Sequence, residues 1–158
     1  MNEFHIHLLV NHFPIVGVIL ATLILLAGIL LRNKTVQVVG LFTMFFSGIA
    51  AFIAHITGER AEHAADDATG FSHDALEFHE HASEPFFQGM VIVGILSLVT
   101  LFLLYRKSAI GNYLTYLILV GGIVCSVLAK KAGESGGAIR HPELGIEVPA
   151  EEEEEEEH

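Results

Sequence analysis

Ten histidines punctuate this 158-residue chain, and several stand at the ends of long apolar runs. Imidazole exchanges protons near neutral pH and lends a nitrogen lone pair to metals and to haem iron, so their spacing comes first. His5 and His12 are seven residues apart and share one helical stripe, with His7 off it. His12 stands inside an apolar run beside Phe13 and Pro14. An ionisable group at membrane depth is costly and marks a functional position. His73, Glu77 and His81 recur every fourth residue and share a helical face. His79 points elsewhere and falls seven before Phe86. Around them, Glu59, Glu62, His63, Asp66, Asp67 and Glu80 add oxygen and imidazole donors able to hold zinc, copper or iron. No spacing among them reproduces a specific signature such as His-Glu-x-x-His. His55 stands at the end of another apolar run, and His141 and Glu143 follow the last one.

The elements that must position these groups are four apolar runs, about 8–31, 36–56, 85–105 and 110–129. Each is close to the ~20 residues that cross a ~30 Å hydrocarbon core. Within lipid every backbone group must be paired inside its own segment, so the runs are helices, and they lack the alternation of a membrane barrel. The expected fold class is all-α, an integral membrane four-helix bundle. Apolar residues make up 52% of the chain, which suits that class. Alternate threading puts the N-terminus, the 57–84 connection and the C-terminus on one face, together with all ten histidines. The short links around Arg32–Lys34 and Arg106–Ser108 fall on the other. Charge density in those links makes their side cytoplasmic and the histidine side extracytoplasmic, in a cell (inner) membrane. Arg60, Lys130, Lys131 and Arg140 run against that bias. They either pair with local carboxylates or, for the arginines, anchor haem propionates through the planar fork. The first run has no basic residue before it and no small-residue cleavage pattern, and reads as an anchor.

Residues 1–148 are expected to form the membrane domain and 149–158 a disordered acidic tail, with Glu151–Glu157 as its charge block. Pro14 deprives the Val10 carbonyl of its usual partner. Ser72 can cap a helix starting near His73 that runs toward Pro85 and continues or restarts as the third span. The glycine-rich 133–137 stretch predicts a flexible exit that lets His141 fold back over the bundle mouth. The net charge of −11 excludes nucleic acid as a partner class, and the lone Cys125 excludes a disulfide or a cysteine metal site.

The opening His7-Leu8-Leu9-Val10-Asn11-His12-Phe13-Pro14-Ile15 resembles the His-x₄-His-Phe-Pro-Ile start of an uncharacterised family of small bacterial four-span membrane proteins. Three further stretches resemble a branch of it: Thr57-Gly58-Glu59-Arg60-Ala61-Glu62, Leu76-Glu77-Phe78-His79-Glu80, and Gly136-Gly137-Ala138-Ile139-Arg140-His141-Pro142-Glu143. That family usually has proline after its first histidine, where this chain has Leu8, which favours His12 over His7 as the functional position. The resemblance covers 7–143 and leaves out His55, His63, His73 and His81 as motif residues. In architecture it is somewhat similar to small membrane b-type cytochromes.

Three readings follow. The first is a haem b electron-transfer protein, with axial imidazoles drawn from His12, His79, His141 and His55, Arg60 and Arg140 near the propionates, and a basic soluble carrier docking on the acidic face. The second is a non-haem zinc, copper or iron site built from His7, His12, Glu59, Glu62, His79, Glu80, His141 and Glu143. The third is an accessory subunit of a larger membrane complex. The sequence-level expectation is that His12, His79 and His141 converge at the extracytoplasmic end of the bundle, with Glu59, Glu62, Arg140 and Glu143 around them.

Overall fold

The computed structural model describes residues 3–66 and 73–140. Among these the secondary structure is entirely α-helical: α1 Glu3–Val10, α2 His12–Leu30, α3 Lys34–Asp66, α4 His73–Tyr105 and α5 Ala109–Arg140. Pro14 explains the interruption between the first two. It has no N–H for the carbonyl four residues back, and α1 stops at that residue, Val10. The Asn11 amide still bonds the His7 carbonyl at 2.9 Å, and the helical course resumes at His12. Four helical stretches are long and apolar enough to cross a membrane, as the four runs imply.

Both short turns are built the same way. After α2, Asn33 N–H bonds Gly28 O at 2.9 Å and Arg32 N–H bonds Ile29 O at 3.0 Å. After α4, Ser108 N–H bonds Leu103 O at 2.9 Å and Lys107 N–H bonds Leu104 O at 2.9 Å. These crossed bonds satisfy the last helical carbonyls and put Arg32 (φ 52°) and Lys107 (φ 55°) in the left-handed conformation usually given to glycine. The next helix starts at once. Asn33 Oδ1 accepts from Thr35 N–H at 3.0 Å and Val36 N–H at 3.2 Å, and Ser108 Oγ accepts from Ile110 N–H at 3.3 Å. Turns this tight force antiparallel neighbours, so both lie at one end and the histidines gather at the other.

Neighbours pack in chain order, α2 on α3, α3 on α4 and α4 on α5, with α2 closing against α5 and α1 lying along α3. Val18, Leu25, Leu41, Met44, Met90 and Ile118 fill the centre almost without exposure. Helices α3 and α4 approach closely where Gly48 and Gly94 meet. A Cβ on Gly48 would lie 3.0 Å from Gly94 Cα and from Met90 O. The outer surface is the inverse of a soluble one, with Phe46, Phe102 and Val120 some 60% exposed where lipid tails would lie.

The helices outrun the bilayer at one end only. At 1.5 Å per residue, α3, α4 and α5 are about 50 Å long, against a ~30 Å core. About 20 residues from the basic turns reach His12, Ala54, Phe86 and Ala129, so the surplus all lies beyond these positions. Residues 57–66 extend α3, and α4 starts at His73 and continues through Pro85, one of the two courses expected. One expectation changes. The 133–137 stretch is the last part of α5, because Ala132 and Ser135 bury one face of it and hold it helical.

Candidate functional site

The extended end of the bundle holds a cavity of about 510 Å³ with walls from all five helices. Ile15, Ala51, Leu76, Phe86 and Phe87 make it largely apolar, and His7 and His79 enter it from opposite helix pairs.

His7 is carried by α1 and braced by α3. Its Nδ1 lies 3.2 Å from the Ala54 carbonyl and 3.3 Å from Thr57 Oγ1. A carbonyl only accepts, so Nδ1 carries the proton. Thr57 is consistent with this, since its hydroxyl donates to the same Ala54 oxygen at 3.0 Å and has only lone pairs left for the ring. Nε2 is therefore the nitrogen with the free lone pair. The ring edge is set by Gly58, where a Cβ would come 3.1 Å from His7 Cε1.

His79 repeats this arrangement on the other pair of helices. It is carried by α4, and its Nδ1 lies 2.9 Å from Ser135 Oγ on α5. Ser135 Oγ also lies 3.1 Å from Ala132 O, and with its hydroxyl turned to that carbonyl it accepts from the ring, leaving the proton on Nδ1 as in His7. Gly136 sets the ring edge, where a Cβ would come 3.0 Å from His79 Cε1. Two half-buried imidazoles thus share a cavity, each with its Nδ1 held to an oxygen on a neighbouring helix. Fixing a ligand ring through its second nitrogen is how proteins orient metal-bound histidine.

One more polar group faces the cavity without a partner: Asn11 Oδ1 is buried and accepts no hydrogen bond. It stands at the interruption between α1 and α2, one residue from His12. The motif positions carrying this geometry, from His7 to Gly136, fall within a single family match: the model described as "Predicted membrane protein (DUF2231)" covers residues 3–143. The chain belongs to that family. No curated protein and no solved structure matches it.

Within this family member the sequence-predicted residues separate into distinct groups. His7, His12, His55, Glu59, Glu62, His79 and Glu80 all line the cavity. His12, the first choice from sequence, is exposed, and its Nδ1 bonds the Leu8 carbonyl of its own helical course at 2.9 Å. His55 is stacked flat on Phe87, with centroids 3.9 Å apart and planes 12° apart, and its Nε2 lies 3.5 Å from Glu59 Oε1. The Nε2 side and one ring face are thereby engaged. Arg60 is exposed and does not line the cavity. His63 and His81 are exposed too, His81 beside Glu77 at 3.7 Å. Arg140 ends α5, while His141 and Glu143 lie outside the described residues, as does the acidic tail. Among the described residues no group of three or more His, Cys, Asp or Glu converges to hold a bare metal ion.

Reasoning from sequence passed over Thr57, Ser135, Gly58 and Gly136 as site residues, although all four lie within or beside the resembling motifs. The usable signal is a hydroxyl followed directly by glycine within or beside a resembling motif, Thr57-Gly58 and Ser135-Gly136; the same pair at Ser47-Gly48 and Thr69-Gly70 lies outside those motifs. A hydroxyl to hold a ring nitrogen and a glycine to clear the ring edge are the two things a packed imidazole needs.

Proposed function

We propose that this protein is a small membrane haem b-binding electron-transfer protein, with His7 and His79 as the axial pair. The observation that carries the reading is the matched bracing of the two rings, each Nδ1 within hydrogen-bond reach of an oxygen on a neighbouring helix, which leaves Nε2 for the iron. Haem b asks the protein for two axial nitrogens and an apolar slot, because the macrocycle supplies the other four donors. A compact zinc, copper or iron site asks for three or four side chains. Two donors in a largely apolar cavity, its size within the roughly 300–1,000 Å³ usual for bound small molecules, fit the first demand better. When bound, haem b supplies a one-electron iron couple. The chain's own part is to hold both rings neutral and oriented, to exclude water with Ile15, Phe86 and Phe87, and to offer Asn11 Oδ1 as an acceptor that has no partner among the described residues.

This reading shifts the axial role from His12 to His7. Histidine ligation at this end sets the redox centre beyond the hydrocarbon boundary, beside exposed Glu59, Glu77 and Glu80. That charge suits docking of a basic soluble electron carrier. The arginine- and lysine-bearing turns are taken as cytoplasmic in an inner membrane, which makes the haem face extracytoplasmic.

The test is the visible spectrum of the full chain purified in mild detergent with haem supplied. A Soret band with split α and β bands on reduction is expected, lost in His7→Ala and in His79→Ala and retained in His12→Ala. A colourless protein under these conditions would overturn the haem reading, and bound zinc, copper or iron in such a sample would install the non-haem one. Loss of the band in His12→Ala with retention in His7→Ala would overturn the ligand assignment.

A further inference from the structure

The opposite end of the bundle holds a second cavity, of about 610 Å³, formed by α3, α4 and the start of α5. Its inner wall is apolar, with Val38, Phe42, Leu101 and Leu104, and its mouth carries Lys34 and Lys107, both exposed. Lys34 Nζ donates to Gln37 Oε1 at 3.0 Å and to Asn112 Oδ1 at 2.7 Å. Both acceptors are neutral amides, so the ammonium is positioned without being neutralised.

Nor does any carboxylate among the described residues lie near enough to neutralise it. The sequence has no Asp or Glu between Glu3 and Glu59, and none between Glu84 and Glu134. From Lys34 to Glu59 along α3 is about 38 Å at helical rise, several times the ~8–10 Å over which exposed charges act in physiological salt. Arg32, Lys34, Arg106 and Lys107 therefore form a cationic end with no counter-charge among the described residues. Lys107 also holds its place at φ 55°, where glycine would be less strained.

We infer that this cavity binds an anionic phospholipid, with an acyl chain along the Val38, Phe42, Leu101 and Leu104 wall and the headgroup phosphate between Lys34 and Lys107. Basic pockets between membrane helices bind anionic headgroups for the same reason, and the apolar wall distinguishes a lipid from a free anion. The inference is independent of what the histidine end holds.

The test is native mass spectrometry of the full chain, released from detergent after equilibration with equal amounts of phosphatidylglycerol and phosphatidylcholine of matched acyl chains. Wild type should retain phosphatidylglycerol about 25-fold over phosphatidylcholine. Each lysine near a membrane surface accounts for a factor of about five, so Lys107→Gln should cut the preference about fivefold and the Lys34→Gln/Lys107→Gln pair about 25-fold. The pair Arg32→Gln/Arg106→Gln, whose side chains do not line the cavity, should stay within about twofold of wild type. Lys34 bridges α3 to α5, so Lys107→Gln carries the test by itself if the double lysine variant loses its helical circular dichroism. The inference fails if wild type shows no preference, if the arginine pair loses as much as the lysine pair, or if millimolar inorganic phosphate displaces the lipid.

Discussion

Substituting alanine for Gly136 and for Gly137 separates imidazole positioning from helix stability. Both glycines lie in α5, and in both cases alanine stabilises the helix by roughly 0.5–1 kcal/mol. Only one of them touches the site. A Cβ at 136 would stand 3.0 Å from His79 Cε1, 3.4 Å from Nδ1 and 3.6 Å from Nε2, whereas at 137 it would meet nothing within 4 Å. To reach ordinary contact the His79 ring must retreat by about half an ångström, and its tether resists. Ser135, the neighbour of Gly136, holds Nδ1 at 2.9 Å through a hydroxyl already tied to Ala132 O. Loosening that bond costs up to the 0.5–1.5 kcal/mol a hydrogen bond contributes, which the helix gain largely offsets. Gly136→Ala should therefore melt within a few degrees of wild type. Disturbing a group that orients a ligand histidine typically weakens binding 10–100-fold, so its haem affinity should fall by at least about tenfold. Gly137→Ala should melt slightly higher and bind haem as wild type does. The assay is thermal unfolding by circular dichroism in one detergent, paired with haem titration followed at the Soret band. Equal affinities in the two variants, or a large loss of stability in Gly136→Ala alone, would refute the positioning argument.

Two further outcomes rest on the fold. Gly48→Ala should destabilise the bundle by roughly 1–3 kcal/mol, because its methyl would press on the Gly94 Cα and Met90 carbonyl of α4, backbone atoms that cannot turn aside; unfolding no earlier than wild type would contradict the α3–α4 crossing. Reporter fusions at residue 70 and after residue 150 should report the same side of the membrane, since the turns at Arg32 and Lys107 both lie at the other end; opposite signals would eliminate the four-span arrangement.

Much of this molecule follows from local rules acting on the chain alone. Hydrocarbon leaves no alternative partner for backbone groups, so four apolar runs of about 20 residues had to become helices. Pro14 places the interruption at Val10 through a single missing N–H, and that too is readable without coordinates. The gathering of the histidines at one end also follows from counting spans. Choosing among those histidines was beyond such rules. His12 drew attention because depth in an apolar run is visible in sequence, yet direction is not, and its ring turns back to Leu8 on its own helical course. His7 and His79 are distinguished by Ala54, Thr57 and Ser135, residues about 50 positions away whose oxygens meet the Nδ1 of each ring. The glycine-rich 133–137 stretch shows the same divide. Propensity predicts a loose exit, but packing of Ala132 and Ser135 carries the helix to Arg140 and brings Gly136 against His79. Membership of a helix is set by near neighbours and the solvent, whereas the aim of a side chain is set by whichever distant residue meets it.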